Sequence, residues 1–61
     1  MYEKKIELLL ISGSSVIKVE HLECSYSYQS NYIIICENKD DSLICTPYEL
    51  SRVKSFKITR Q

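Results

Sequence analysis

Hydrophobic and polar residues alternate along most of this chain with the period of two that sends successive side chains to opposite faces of a strand. Lys5 to Ile11 carries Ile6, Leu8 and Leu10 on one face, and Ser15 to Glu20 carries Ile17 and Val19. Between them stands Ser12-Gly13-Ser14, with the chain's only glycine where a tight hairpin needs positive φ. Two registers compete. A loop at Gly13-Ser14 sets Glu7 opposite Glu20; a loop at Ser12-Gly13 sets Glu7 opposite Lys18, Lys5 opposite Glu20 and Leu9 opposite Val16. Like charges directly opposed are unfavourable, so the pattern predicts the Ser12-Gly13 loop. Both registers place Ile6, Leu8, Leu10, Ile17 and Val19 on one inward face.

Beyond Val19 the phase changes, because Leu22, Cys24, Tyr26 and Tyr28 are even-numbered where Ile17 and Val19 are odd. A period of two changes phase only through an inserted residue or a break, which predicts a bulge or sharp bend at Glu20-His21. Gln29-Ser30 then closes a second hairpin that pairs Leu22 to Tyr28 with Asn31 to Glu37. The Ile33-Ile34-Ile35 run is apolar on both faces and marks the most buried strand. Glu37 to Ser42 reads as an exposed polar turn, followed by a short strand at Leu43 to Cys45. Thr46-Pro47-Tyr48-Glu49 has the form of a capping box, with Thr at the N-cap, Pro at the first helical position and Glu three residues after the cap. It predicts one helical turn near residues 47–52. Phe56-Lys57-Ile58-Thr59 alternates and predicts a final strand, in competition with a helix to the C-terminus. The pattern is that of one mainly β domain over residues 1–61: a small five-stranded antiparallel sheet and one helical turn.

Composition supports strands. Ala and Trp are absent, while Ile, Ser, Leu and Tyr are abundant. At 61 residues the core is thin, since a chain of this size buries only about 60% of the surface its unfolded form exposes. Small domains make up the shortfall with disulfides, a metal or a second subunit. Cys24, Cys36 and Cys45 are odd in number and lie in apolar, strand-like runs, which predicts three reduced thiols packed as small hydrophobes. No spacing among them and His21 forms a chelating knuckle, so no metal is expected. The longest apolar runs, Leu8 to Ile11 and Tyr32 to Cys36, fall far short of the about 20 residues of a spanning helix. Lys4 and Lys5 precede an apolar run too short, and interrupted by Glu7, for a signal peptide. The expected address is the cytoplasm, with no membrane partner.

The order of strand, tight turn, bent strand, strand, turn, short strand, helical turn and final strand resembles an SH3-like or Sm-like small barrel. Ile44 to Val53 in particular is similar to the segment of SH3 domains that runs through Pro into a 3₁₀ turn and the last strand. The resemblance implies that the sheet curls into an SH3-like barrel. The acidic loop followed by Trp with which SH3 domains bind peptides is missing, as are the RNA-contact motifs of the Sm family, so function does not carry over.

No catalytic constellation is visible. His21 is the only histidine, with no nucleophile placed beside it, and reads as a surface or structural residue. One glycine excludes a Gly-rich phosphate loop, and Asp40-Asp41 reads as a solvated turn. No cofactor and no enzymatic activity are expected. Binding features are better represented. Tyr26, Tyr28, Tyr32 and Tyr48 are amphipathic residues of the kind enriched at interfaces. Arg52, Lys54, Lys57 and Arg60 make a basic C-terminal segment without an acid, which suits either single-stranded nucleic acid or a solvated edge strand. Eight basic and eight acidic residues cancel, however, so no overall field favours nucleic acid. The reading is a non-catalytic binding module: a protein-interaction module, inhibitor or accessory factor of the kind mobile elements encode. Two alternatives stand beside it, a small nucleic-acid-binding barrel and an oligomer that sequesters a small ligand or nucleotide. The site is expected on the second apolar face, with Leu9, Ile11 and Val16, and on the hairpin bearing Tyr26, Tyr28 and Tyr32, flanked by Arg52 and Lys54. The two-sided apolar runs, with Leu9, Ile11 and Val16 opposed to the inward set, predict a homodimer.

Overall fold

The computed structural model describes residues 2–60. Five strands follow in order: β1 (Glu3–Ser12), β2 (Ser15–Gln29), β3 (Tyr32–Lys39), β4 (Ser42–Glu49) and β5 (Val53–Thr59), with a 3₁₀ turn, Leu50–Arg52, between the last two. They form one antiparallel sheet in the order β4-β3-β2-β1-β5. The C-terminal segment is thus a strand, not a helix. The sheet is open, because no ladder joins β4 to β5.

β2 is long enough to serve two partners. Its first half pairs with β1 and its second half with β3, and the two pairings meet at Cys24, which faces Glu3 on one side and Glu37 on the other. The change of phase lies just before this point. Val19 and His21 face inward, Leu22 and Glu23 are exposed, and Cys24 is buried. Glu23 has φ +50°, a left-handed conformation that shifts the alternation by one residue. The break therefore falls at Leu22-Glu23, two residues beyond the predicted Glu20-His21, and His21 belongs to the inner face.

The three hairpins differ in detail from the pattern's reading. Ser12 pairs with Ser15, so Gly13-Ser14 is the first loop and Glu7 lies opposite Glu20. Positive φ at Gly13 (+62°) and not at Ser14 is the requirement of a type II′ turn, which matches strand twist. The opposed carboxylates are tolerated because Lys18 sits diagonally between them, 3.3 Å from Glu7 and 3.3 Å from Glu20, with Lys5 3.5 Å from Glu7. The bridging cation is diagonal to the opposed acids, and directly opposed pairs alone do not reveal it. The second loop is Ser30-Asn31, not Gln29-Ser30, and Tyr28 pairs with Ile33. The third is only Asp40-Asp41, both at positive φ (+53° and +64°), the backbone of a type I′ turn that Asp tolerates. Lys39 and Ser42 pair directly, so both strands run further than predicted.

The capping box does not form. Thr46, Pro47, Tyr48 and Glu49 continue β4 to its end, and the 3₁₀ turn begins only at Leu50, without a side-chain cap. Proline is admitted because β4 is an edge strand. Cys36 and Cys45, directly opposite with Cα atoms 4.0 Å apart, have the close spacing of a non-hydrogen-bonded pair. Pro47, two residues on, shares that parity, so its nitrogen faces away from β3, where no donor is needed. Cys36 and Cys45 form a disulfide and Cys24 alone is free. The expectation of three reduced thiols fails because the register sets two cysteines face to face, which spacing along the chain does not reveal. With it goes the cysteine argument for a reducing compartment.

The core lies within the curl of the sheet. Ile6, Leu8, Cys24, Ile33 and Ile35 are fully buried, and Leu10, Tyr26, Tyr48, Val53 and Ile58 pack against them. β3 supplies two of the five buried residues, in keeping with its uninterrupted apolar run. No helix among the described residues is long and apolar enough to cross a membrane.

Candidate functional site

An open groove of about 410 Å³ lies between the β1–β2 hairpin and the paired ends of β3 and β4. One wall is aliphatic: Leu10 and Ile17, which pair across the hairpin, and Ile11 and Ser12 toward its tip. The opposite wall is aromatic and carries the chain's one proline. Tyr32 begins β3 opposite Glu49, which ends β4, and Pro47 and Tyr48 precede Glu49 on that edge strand. Arg52 completes the rim from the 3₁₀ turn. The turn is fastened to the β2–β3 loop by the Leu50 amide, which donates to the Asn31 carbonyl at 2.8 Å.

Behind the groove wall lies a polar trio built on one buried residue, with Glu37 and Tyr48 half-buried around it. His21 is 7% exposed. Its Nδ1 is 3.0 Å from Glu37 Oε1 and its Nε2 is 2.6 Å from the Tyr48 hydroxyl. A carboxylate only accepts, so Nδ1 carries the proton; in the neutral imidazole Nε2 then accepts from the Tyr48 hydroxyl. Burial, and secondarily the Glu37 charge, push the Tyr48 hydroxyl above the ordinary phenol range. Burial likewise raises the Cys24 thiol, with Glu37 adding to it. All the trio's contacts are internal: it joins β2 to β3 and β4 and fixes the Tyr48 ring in the groove wall. His21 is therefore a structural residue and not a surface one.

The residues expected to share one surface divide into three places. Tyr32 and Arg52 line the groove. Tyr26 and Tyr28 instead pack against each other and against Phe56 of β5, with ring centroids 6.0, 6.3 and 6.5 Å apart, all edge-to-face. That cluster spans the seam between β5 and the second half of β2. Lys54 is exposed where β5 shifts register against β1. The basic segment is dispersed as well. Arg60 is held 3.0 Å from the buried carboxylate of Glu3, while Lys57 lines a separate depression with Glu7, Leu9, Lys18, Ser55 and Phe56. Among the described residues no group of three or more His, Cys, Asp or Glu is placed to hold a metal.

Tyr48 has the interface character its residue type suggests, and Ile11 belongs to the second apolar face; Pro47 and Glu49, which the pattern places at a helix start, and Leu10 and Ile17, which it places in the core, join them in the groove wall. The available signal was the proline itself, which in a sheet belongs to an edge. Comparison with protein-family models, with curated proteins and with solved structures finds no match for the chain.

Proposed function

We propose that the chain is a non-catalytic protein-interaction module whose working face is the groove between the β1–β2 hairpin and the β3–β4 edge. In this reading the sheet is an SH3-like barrel left open on one side, and the opening is the binding site. The observation that carries it is the exposure of large apolar side chains in one concave place. Ile11, Ile17 and Tyr32 are 43%, 49% and 42% exposed at the groove, where a small chain has little reason to leave apolar surface uncovered. Rigid tyrosines and a proline lose little conformational freedom on binding, and so suit an apolar, extended protein segment. The dispersal of the basic residues, with Arg60 already paired, supports protein over nucleic acid.

The test is a selection of random peptides displayed on phage against the whole chain, with the folded Ile17→Asp variant as counter-target. Binders should be lost on that variant and on Tyr32→Ala, and should perturb amide resonances of the groove residues. Binders that ignore both substitutions, or that perturb only the Tyr26–Tyr28–Phe56 seam, would place the working face elsewhere.

A further inference from the structure

We propose that the Cys36–Cys45 disulfide is a redox site that an external dithiol opens while the chain stays folded. Neither cysteine lines the groove, and the chemistry of the site does not depend on what the groove binds. The ground is where the register puts the two sulfurs. They cross-link β3 to the edge strand β4, with Cys45 exposed and Cys36 half-buried. Ile33 and Ile35 of β3 are fully buried, so Cys36, of opposite parity, belongs to the outer face. The bond therefore lies outside the core of Ile6, Leu8, Cys24, Ile33 and Ile35. Thiol–disulfide exchange needs an attacking thiolate to reach a sulfur, and an outer-face bond on an edge strand allows that without unfolding. The ladder continues on both sides of it, through Asn38 with Leu43 and Ile34 with Pro47, and Tyr48 is held to His21 besides. Opening the bond thus leaves β4 in place.

Two further placements decide which reductant serves. Cys24, the free thiol, is fully buried on the inner face; it pairs with Glu37, whereas Cys36 pairs with Ser25. It cannot reach the disulfide, so both reducing thiols must come from outside. One external thiolate attacks Cys45 Sγ, the S–S bond breaks, and the electron pair leaves on Cys36, which takes up a proton. Cys36 then lies directly opposite the mixed disulfide, with Cα atoms 4.0 Å apart. Its return attack is intramolecular and outpaces a second, untethered thiol, so a monothiol is expelled. A dithiol carries its second thiol with it. That thiol attacks the mixed disulfide, closes the reductant into its own disulfide and releases Cys45 as a thiol. Two electrons and two protons pass from the dithiol to the chain.

The experiment follows reduction of the full chain by dithiothreitol, in buffer and in urea below the unfolding transition. Samples are quenched with iodoacetamide and counted by mass spectrometry. Cys36 and Cys45 should become alkylated together, at a rate that changes less than about twofold across that range. The circular dichroism of the fold should persist, and Cys24 should stay unmodified until the chain is denatured. Reduced glutathione at the same thiol concentration should leave the bond closed. After removal of dithiothreitol, oxidised glutathione should restore the Cys36–Cys45 bond and no other. The Cys36→Ser/Cys45→Ser variant, standing in for the opened state, should keep the wild-type spectrum. A reduction rate that climbs with the unfolded fraction would overturn the proposal, because the bond would then open only in unfolded chains. Loss of the fold on reduction or in the double variant, opening by glutathione as fast as by dithiothreitol, or reoxidation through Cys24 would each overturn it as well.

Discussion

The Tyr48 hydroxyl lies 2.6 Å from His21 Nε2, and this one hydrogen bond fastens the inner face of β2 to the edge strand β4. The two strands share no ladder, since β3 lies between them in the sheet. Glu37, on β3, holds the other ring nitrogen at 3.0 Å. The histidine thus ties three consecutive strands together through side chains, at the place where the sheet bends. Because Tyr48 is also a groove wall, the shape of the groove depends on a bond made inside the protein.

Tyr48→Phe keeps the ring and deletes the hydroxyl, leaving Nε2 buried without its partner. A buried polar group stripped of its partner costs about 1–3 kcal/mol, and thermal denaturation should show a loss of that size. The alkaline limb should change too. With its pKa raised on folding, Tyr48 contributes stability that is fully present below the ordinary phenol value of 10.0 and is lost as pH rises through the folded value. Cys24, also raised, acts in the same direction from about 9.0. Stability should therefore fall at high pH in the wild type and fall less in Tyr48→Phe. An unchanged alkaline limb in that variant would contradict the raised pKa of the half-buried phenol.

Much of this fold was legible in the sequence, and the misses of pairing share a cause. Ile6, Leu8, Ile33 and Ile35 alternate as core strands must, and all four are fully buried. What alternation cannot specify is register. Moving a hairpin loop by one residue shifts the cross-strand partners by two and leaves the apolar pattern intact, yet register decides that Glu7 faces Glu20 and Cys36 faces Cys45. Pro47 misled for a different reason: the same Thr-Pro-x-Glu string suits a helix start and an edge strand, and the choice was made by β3, which supplies the ladder. Of the groove's lining, Tyr32 and Arg52 are among the residues that the sequence singles out. Tyr26 and Tyr28 were not separable from them, because their link to Phe56 spans nearly thirty residues of chain.

Lys18 neutralises two opposed carboxylates, so removing it should do more harm than removing either acid. Lys18→Ala leaves Glu7 and Glu20 face to face, whereas Glu20→Ala relieves the repulsion, and Glu20→Lys creates a direct cross-strand pair with Glu7. Hydrogen bonding from Lys18 lowers the Glu7 pKa below its ordinary 4.5. That stability is present above this value and is lost as pH falls through the folded pKa. Urea titrations at neutral and acid pH should show the Lys18→Ala deficit at neutral pH, shrinking in acid and in high salt. A Glu20→Ala variant less stable than Lys18→Ala would refute the Gly13-Ser14 register.

Cysteine accounting gives a sharp number. With Cys36 and Cys45 joined and Cys24 free, thiol titration of the denatured, unreduced protein should find one thiol per chain. Reduction should release the other two. Closing a loop this short contributes about 2–3 kcal/mol by the chain-entropy argument, a large share of the few kcal/mol available to a domain of this size. Reduction should therefore lower the unfolding midpoint of the wild type and leave that of the Cys36→Ser/Cys45→Ser double variant unmoved. Three thiols before reduction would mean that the cross-strand pair does not form in solution.

The aromatic seam offers a test of how the open sheet keeps its curl. Phe56 sits opposite Leu8 in the β1–β5 ladder, while its ring reaches Tyr26 and Tyr28 at 6.3 and 6.5 Å. No backbone ladder connects β5 to β2, so contact between these elements is made by side chains. Tyr28 is 55% exposed, and its ring makes edge-to-face contact with Tyr26 and Phe56. Aromatic pairs of this geometry couple by about 0.5–1.5 kcal/mol beyond the area they bury. A double-mutant cycle of Tyr28→Ala and Phe56→Ala, followed by urea denaturation, should return a coupling energy in that range. Tyr32→Ala, on the groove and away from the seam, should be additive with Phe56→Ala within about 0.5 kcal/mol. Additivity of Tyr28 with Phe56 would mean that the seam does not hold the sheet and that Tyr28 is available as a contact residue after all. Coupling confined to Tyr28 and Phe56 would fix the division of the tyrosines, with Tyr26 and Tyr28 in the seam and Tyr32 outside it.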